Sequence, residues 1–468
     1  MKSNIIIGRK NEQIRLLNLY NSGQPEFVAI YGRRRVGKTY LIRQMFENEF
    51  FFDLVGLANS NTEAQLVNFT ISINRVATKP ENTEKNWLLA FEQLISLIKD
   101  SPKKRKIIFI DEISWIDTPR SGFISALEHF WNGWACSRND VMLIVCGSAT
   151  SWIVNKLINN RGGLHNRLTA SIFLPPFNLR ETELFLHSKK CKYSRYDIAV
   201  CYMAMGGIPY YLSKIDRSLS IAQNIDNMFF KVFAEFRNEF QNLYASLFKN
   251  YTDYVKIVEA LSLKAKGLTR QEIEKFSGLS SGGGLTTTLK NLEYCGFIRT
   301  YNTFGKKKYE KLYQLLDSYT LFYFKYLARN EYNDKAFWSS AVNTPQHNSW
   351  AGYAFEILAL QHIEEIKKAL GISGVQTAEA AWKSEKAQID LILNRKDGII
   401  NLCEMKFSRN EFVIDKNYEK NLRNKLCTFT EETKTRKAVH LLMLTTYGLA
   451  KSKYSGIVQK ELTLEDLF

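Results

Sequence analysis

Short apolar runs, each followed by glycine or polar residues, mark the first part of the chain. The runs at 27–31 (FVAIY), 107–110 (IIFI) and 141–146 (VMLIVC) are typical of buried strands. Residues 40–50 (YLIRQMFENEF), which follow the first run after a glycine-containing loop, have helical spacing. The order of strand, loop and helix predicts an α/β fold for this region.

The pattern changes at about residue 251 to short helices. Helical spacing and then a hairpin pattern occur in four consecutive segments: 251–267, 268–279, 283–298 and 299–317. Thr269 and Glu272 stand at capping-box spacing at the start of the second helix, and Gly305 lies at the centre of the hairpin. Three helices followed by a two-stranded wing predict a winged helix-turn-helix.

An alternating segment near the C-terminus, 388–408, predicts a second hairpin that turns at Asp397 and its neighbours. A loop centred on Asp397 places Asp390 opposite Glu404. Period-two alternation puts Lys406 on the same sheet face as Glu404. Two acids and a lysine on one face suit Mg²⁺-dependent phosphodiester hydrolysis, in which the acids hold the metal and the lysine orients or activates water.

The preceding helical segment, 350–366, adds a third carboxylate. Glu356 lies there on an otherwise apolar side, where a carboxylate is costly unless a metal ion or a lysine meets it. The residues alone leave a second interpretation open, namely a hairpin with ion-paired surface acids.

Composition narrows the class of protein. A chain of 468 residues with 45% apolar and 24% charged residues is expected to fold into more than one domain. A net charge of +17 favours a polyanionic partner such as DNA, with a solvated basic surface as the alternative. No apolar run approaches the roughly 20 residues of a membrane span, and no signal peptide is recognisable, so we expect a cytoplasmic protein without a membrane partner. Seven scattered cysteines without a CxxC pair indicate neither disulfides nor a zinc site.

The loop after the first strand has the form GxxxxGKT. Gly32 and Gly37 allow the backbone to wrap phosphates, Lys38 would reach the β and γ phosphates, and Thr39 would place a hydroxyl on Mg²⁺. The other candidate residues of this loop are Arg33, Arg34, Arg35, Val36 and Tyr40. The loop predicts a nucleotide site.

Acidic and polar residues at the ends of later strands complete the prediction. Asp111 fits a metal-coordinating role, and Glu112 fits the base that polarises the attacking water. Ser148 is a candidate sensor of the γ phosphate or a helix cap. Arg167 would approach a nucleotide in cis or from a neighbouring subunit, or pair on the surface.

Six motifs together resemble the STAND class of AAA-related P-loop ATPases of bacteria and archaea: GRKNEQ (8–13), YGRRRVGKT (31–39), IIFIDEISWID (107–117), CGSATSW (146–152), LPPFNLRE (174–181) and GGIPYYL (206–212). The resemblance implies a parallel-sheet core, a helical lid, ATP rather than GTP, and a switch-like role. It also implies that Gly8, Arg9 and Glu12 lie near the adenine, and that Arg33, Arg34 and Arg35 fill positions tolerant of many side chains, where they are only solvated.

The winged helix has two interpretations. Its third helix would enter the DNA major groove with Thr286, Thr287 and Lys290, while Lys306, Lys307 and Lys308 in the wing face phosphates. Winged helices in ATPases of this class also serve as intramolecular packing modules, and both readings stay open.

The C-terminal stretch resembles the PD-(D/E)xK nuclease superfamily. The superfamily pattern falls on Glu356, Asp390, Glu404 and Lys406, with Ile389 where a proline often stands. Lys425, on the helix after the motif, is a further candidate. A nuclease fold that binds DNA or a partner without cutting is the alternative.

The expected organisation is a P-loop core (1–180), a helical lid (181–248), a winged helix-turn-helix (249–335) and a nuclease-like domain (345–468). The expected function is an ATPase whose nucleotide state controls a metal-dependent DNA nuclease, with ATP and Mg²⁺ as cofactors. The alternative is a non-cleaving, ATP-dependent switch or scaffold that binds DNA or a protein. The sequence leaves a homo-oligomer or a protein partner open.

Overall fold

The computed structural model describes residues 6–160, 162–305, 311–328 and 336–468. The chain forms two compact units: the first runs to Pro175 and includes Ser246–Lys249, and the second comprises Pro176–Ala245 and Asn250–Phe468. In the described ranges, no helix combines the length and the apolar character that crossing a bilayer requires.

The first unit is built on a parallel sheet. Its strands are β1 (Glu26–Tyr31), β2 (Phe50–Val55), β3 (Lys106–Asp111), β4 (Val141–Gly147) and β5 (Ala170–Phe173). Among the described residues, the strand order is β2, β3, β4, β1, β5, and all neighbours are parallel. Every residue of β3 and β4 is buried, as the continuous apolar runs indicate. The predicted α/β fold with a parallel sheet is confirmed for this unit.

Helices cover this sheet and supply an aromatic core. They are α1 (Lys10–Tyr20), α2 (Lys38–Phe46), α3 (Thr62–Asn74), α4 (Trp87–Asp100), α5 (Ile113–Ile116), α6 (Phe123–Gly133) and α7 (Thr150–Ile153). Trp87 meets the ring of Phe123 edge-on at 5.0 Å, and Phe91 stacks on Phe130 at 5.0 Å. Burial of each such side chain contributes roughly 2 kcal/mol, so these rings fix α4 against α6.

The helices that follow Pro176 are α8 (Leu179–Ser188), α9 (Arg195–Met205), α10 (Pro209–Ser213), α11 (Ile221–Ile225), α12 (Glu239–Leu247), α13 (Tyr251–Ser262), α14 (Arg270–Ser277), α15 (Gly283–Tyr294), α16 (Ser318–Phe322), α17 (Phe337–Ala341), α18 (Pro345–Gln361), α19 (Ile363–Ala369) and α20 (Lys416–Thr433). The capping box predicted from Thr269 and Glu272 is present at the start of α14. The apolar helix predicted over 350–366 is broken at His362, which separates α18 from α19. The buried ring of His362 accepts the backbone N–H of Leu179 at 3.0 Å, and this bond links α19 to the start of α8.

The second unit contains a mixed sheet. Its strands are β6 (Leu268–Thr269), β7 (Ile298–Thr303), β8 (Lys311–Leu315), β9 (Thr377–Lys383), β10 (Gln388–Arg395), β11 (Ile399–Lys406), β12 (Ala438–Thr445) and β13 (Lys460–Thr463). In the described part of the chain these strands form one sheet in the order β13, β12, β11, β10, β9, β7, β8, β6. The sheet therefore takes its strands from residues 268–463 of the unit.

Two modules share this sheet. The helix–hairpin module, 251–315, has the three helices α13, α14 and α15 and the two strands β7 and β8 at the places predicted from sequence. The C-terminal module, 345–468, contributes β9 to β13 with α18 and α20. The joint is a parallel pairing of β7 with β9, in which Asn302 faces Ala380 and Thr303 faces Ala381.

The β10–β11 hairpin has the predicted register. Leu391 pairs with Cys403 and Asn394 with Ile400, so the turn is centred on Asp397. Extending this register by one residue toward the open end would place Asp390 opposite Glu404.

Candidate functional sites

The glycine-rich loop between β1 and α2 has a conformation that requires its glycines. Gly32 has φ of 148°, and a Cβ there would lie 2.3 Å from the carbonyl oxygen of Leu174. Gly37 caps α2 with φ of 91°. The buried Lys38 ammonium donates to the carbonyl oxygens of Gly32 and Arg33, both at 2.9 Å. The lysine is thus held within the loop, at the N-terminus of a helix, where anions are favoured.

Thr39 joins this loop to the end of β3. Its hydroxyl donates to Asp111 Oδ2 at 2.7 Å, and Asp111 Oδ1 accepts the backbone N–H of Glu112 at 2.9 Å. Asp111 is buried, with 3% of its surface exposed. A hydroxyl and a carboxylate side by side are the oxygen donors that Mg²⁺ takes together with water and phosphate oxygens, so Thr39 and Asp111 fit a Mg²⁺ site.

Glu112 is held by Ser148. Glu112 has a left-handed backbone, with φ of 47°, and its Oε2 accepts the backbone N–H of Ser148 at 3.1 Å and the Ser148 hydroxyl at 2.9 Å. Ser148 follows β4 and is buried. The two residues therefore form a pair, so an interaction of Ser148 with a phosphate would compete with its bond to Glu112.

The segment before α1 also contacts the glycine-rich loop, residues 32–39, which is called the phosphate loop below. Arg9, buried and left-handed at the start of α1, donates from Nη2 to the carbonyl oxygens of Val36 at 3.4 Å and Pro175 at 2.5 Å. The Gly8 carbonyl accepts from the Gln13 side chain at 2.6 Å. No sequence signal had indicated the contact with Pro175, because it joins residues 166 positions apart.

The remaining basic candidates differ in exposure. Arg33 is buried, with 3% exposed, so the expectation that all three loop arginines are merely solvated is wrong for this residue. Arg34 is exposed and Arg35 is half-buried. Tyr40 and Arg167 are exposed.

A second candidate site, here called the acid site, lies in the C-terminal module and comprises Glu356, Asp390, Glu404 and Lys406. Glu404 Oε2 accepts from Lys425 Nζ at 2.7 Å, and its Oε1 accepts from the Tyr418 hydroxyl at 2.9 Å and lies 3.3 Å from Lys406 Nζ. Burial alone would raise the pKa of Glu404, but Lys425 and Lys406 outweigh it and lower that pKa. Glu404 is therefore a charged carboxylate held from three sides.

Asp390 and Glu356 complete the acid site. Asp390 Oδ1 accepts from the Gln388 side chain and lies 3.9 Å from Lys266 Nζ. Burial and the charges of Asp390 and Glu404 together raise the pKa of Glu356 to about 8, against the opposing charges of Lys406 and Lys266. The charges of Asp390, Glu404 and Lys406 thus all act on Glu356.

The acid site offers carboxylates to Mg²⁺ but not a complete set of protein ligands. Over the residues that the structure describes, no three His, Cys, Asp or Glu side chains converge to hold a metal ion. Mg²⁺, however, is commonly held by one or two carboxylates, with water and substrate phosphate oxygens as the other ligands. Asp390 on β10 and Glu404 on β11 are the two carboxylates that could serve in this way.

Two residues that contact the acid site were not indicated by the sequence. Tyr418 is seven residues before Lys425 on α20, so the two share a helix face, and this spacing was the signal available. Lys266 belongs to the helix–hairpin module, more than 100 positions before Asp390, and no sequence pattern relates the two.

The candidate nucleic-acid residues are only partly accessible. Thr287 and Lys290 are exposed on α15. Thr286 is half-buried, and its hydroxyl accepts from Arg270 Nη1 at 2.9 Å. Lys306, Lys307 and Lys308 lie outside the described residues.

Comparison with known proteins bears on the glycine-rich loop and the residues around it. Residues 7–215 match the ATPase_2 family, described as an ATPase domain predominantly from Archaea. The phosphate loop, Asp111, Glu112 and Ser148 all lie within the matched residues. Residues 7–215 therefore match a P-loop ATPase domain, and the expectation of an ATPase is confirmed at that level.

Similarity extends beyond this domain. An uncharacterized protein of Methanocaldococcus jannaschii is 26% identical over 403 residues, covering 85% of this chain and 87% of its own. A Walker-type ATPase of Pyrococcus abyssi is 14% identical with a TM-score of 0.46, covering 68% of this chain and 96% of its own. A STAND protein with a tetratricopeptide-repeat sensor from Pyrococcus horikoshii is 18% identical with a TM-score of 0.33, covering 79% and 52%.

Proposed function

We propose that this protein is an ATP-hydrolysing switch whose nucleotide state controls a metal-dependent, nuclease-like site in the C-terminal module. DNA is the proposed substrate. The observation that carries the proposal is the convergence of Asp390, Glu404 and Lys406 beside Glu356, within a chain that also carries a P-loop ATPase domain.

The ATPase half of the proposal rests on the contacts around Asp111. Lys38 and the backbone N–H groups at the start of α2 bind the phosphates of ATP. Thr39 and Asp111 would hold Mg²⁺, which when bound would neutralise charge on the phosphates. Glu112 orients and polarises the attacking water, and Ser148 keeps its carboxylate at a fixed position.

The nuclease half rests on charge and geometry in the acid site. Asp390 and Glu404 would hold Mg²⁺, which polarises the phosphodiester when bound. Lys406, 3.3 Å from Glu404, orients or activates the water. Lys425 and Tyr418 keep the Glu404 carboxylate oriented. Glu356 borders these groups and takes a proton more readily than an ordinary glutamate, since its pKa is raised.

We infer that the helix–hairpin module is a winged helix. Its three helices and its hairpin support this assignment, and the exposed Thr287 and Lys290 on α15 are suited to contact DNA. A net charge of +17 is consistent with a polyanionic substrate.

One observation favours the rival function, a non-cleaving switch that binds DNA or a protein. Both oxygens of Glu404 already accept hydrogen bonds, from Lys425 and Tyr418. A carboxylate so compensated is also what a recognition surface without a metal would need.

Incubation of the purified chain with supercoiled plasmid and Mg²⁺ or Mn²⁺, with and without ATP, separates the two functions. We expect cleavage by the unaltered chain, and cleavage at least about 100-fold slower by Lys406→Ala, since a positioned acid–base group typically contributes that much. Lys451→Ala, which removes an exposed lysine, should cleave normally. Lys38→Ala should lose ATP turnover and the response of cleavage to ATP.

Equal cleavage by the Lys406→Ala variant would exclude the proposed site. If neither the unaltered chain nor any variant cleaved DNA while ATP hydrolysis stayed intact, the non-cleaving switch would be the function that remains.

A further inference from the structure

A loop of the helix–hairpin module, residues 264–267, lies against the acid site. The Ala265 carbonyl accepts from the Tyr353 hydroxyl at 3.1 Å and from the Gln314 side chain at 2.8 Å. The Lys266 carbonyl accepts from the Tyr301 hydroxyl. Tyr353 is one turn before Glu356 on α18, so these bonds fix the loop beside the Glu356 carboxylate.

Lys266 faces the carboxylates across a small cavity. Its ammonium lies 3.9 Å from Asp390 Oδ1, and its charge also acts on Glu356. The cavity between them has a volume of about 50 Å³, and its lining includes Lys266, Tyr301, Gln314, Glu356, Gln388 and Asp390. A water molecule occupies about 30 Å³ in the liquid, so this space has room for an ion or a water molecule.

Hydrogen bonds to the backbone hold Lys266 in place, so its side chain can be replaced without moving the loop. The bonds that hold the loop end on the carbonyls of Ala265 and Lys266, and none of them uses the lysine side chain. The β7–β9 pairing holds the same module against the C-terminal module. The Lys266 side chain itself is about half exposed, at 47%. Its ammonium is therefore able to leave the cavity while the loop stays in place.

We propose that Lys266 is a member of the acid site and acts as its resident counter-cation, so that a divalent cation binds beside Asp390 only after this ammonium has withdrawn. The inference rests on the proposed function of the acid site. A tethered cation competes at a high effective concentration, and the apparent affinity of a free cation falls accordingly. The helix–hairpin module thereby sets the metal affinity of the C-terminal module.

The test is a titration of the full chain with Mn²⁺ in the absence of nucleotide, measured by isothermal titration calorimetry. Lys266→Ala should bind one Mn²⁺ at least 10-fold more tightly than the unaltered chain. Lys266→Arg, which retains the charge, should resemble the unaltered chain. Lys264→Ala is the matched control, because Lys264 is in the same loop but pairs with Glu272 at 2.6 Å. Its Mn²⁺ affinity should not change.

A second comparison separates this inference from the proposed function. Adding Asp390→Asn to the Lys266→Ala variant should abolish the gained Mn²⁺ site. Equal Mn²⁺ affinity of Lys266→Ala, Lys264→Ala and the unaltered chain would overturn the role of Lys266. If Lys266→Ala had no effect but the single change Asp390→Asn lowered the Mn²⁺ affinity, the acid site would still be a metal site. Only the role of Lys266 would then be excluded. Absence of Mn²⁺ binding in every variant would overturn both.

Discussion

The phosphate loop and the acid site hold their charged groups by different means. The phosphate loop is one continuous segment, Gly32–Thr39, whose lysine is bonded to backbone carbonyls of the same loop. The acid site collects side chains from segments as far apart as Lys266 and Lys425, and its bonds are mainly between opposite charges. The first site therefore depends on backbone conformation and the second on charge balance.

The difference predicts how each site fails. A Cβ at Gly32 would meet the Leu174 carbonyl and deform the loop whatever the charge of the new residue. In the acid site, the backbone tolerates substitution of the charged residues. The loss of one charge, however, leaves the opposite charge without compensation. Three experiments test this contrast, beginning with the largest expected effect.

Glu112→Gln should reduce ATP hydrolysis by about 100-fold or more while ATP binding persists. The amide oxygen still accepts from Ser148, so the loop geometry is preserved, but the group no longer polarises water. Phosphate release and binding of a fluorescent ATP analogue give the two readouts. Glu92→Gln, which changes an exposed carboxylate on α4, is the control and should hydrolyse normally. Loss of ATP binding in Glu112→Gln would show that this carboxylate is needed for structure as well.

Lys425→Ala should destabilise the second unit by about 2 kcal/mol, since a nearly buried carboxylate loses its shortest charged partner. Urea unfolding followed by tryptophan fluorescence measures the change. Lys420→Ala removes an exposed lysine from the same helix and should alter stability by less than about 0.5 kcal/mol. If the two variants unfolded alike, charge balance would not be what holds the acid site.

The third experiment tests a pH dependence at Glu356. Its pKa is raised to about 8 in the folded chain from an ordinary value of 4.5. Between these values the folded state keeps a proton that the unfolded state releases, so stability falls as pH rises from about 4.5 through 8.

Glu356→Gln should remove this contribution, because the amide stays neutral. Urea midpoints at pH 5 and pH 8.5 measure it: the unaltered chain should lose more stability over this interval than the variant does. Parallel losses in the two proteins would show that Glu356 is charged at both pH values.

These contrasts also explain what was predictable from the sequence. The GxxxxGKT loop was recognisable because its function lies in eight consecutive residues, and Asp111 follows an unmistakable buried strand. The register of the β10–β11 hairpin was also accessible, since a tight turn fixes it by counting.

The contacts that join distant segments were not predictable. Lys266 reaches Asp390 only because β7 pairs with β9, and neither strand carries a signal for that partner. The break at His362 likewise depends on the N–H of Leu179, which is 183 positions away. Such contacts follow from tertiary packing, which overrides the local helical pattern of 350–366.

The continuous sheet of the second unit has a practical consequence for dissecting the protein. A fragment that begins at Pro345 would strip β9 of its neighbour β7 and leave the backbone N–H and C=O groups on that side open to other chains. Self-association of such a fragment would then report a missing sheet partner, and its behaviour in assays would not represent the C-terminal module as it exists in the intact chain.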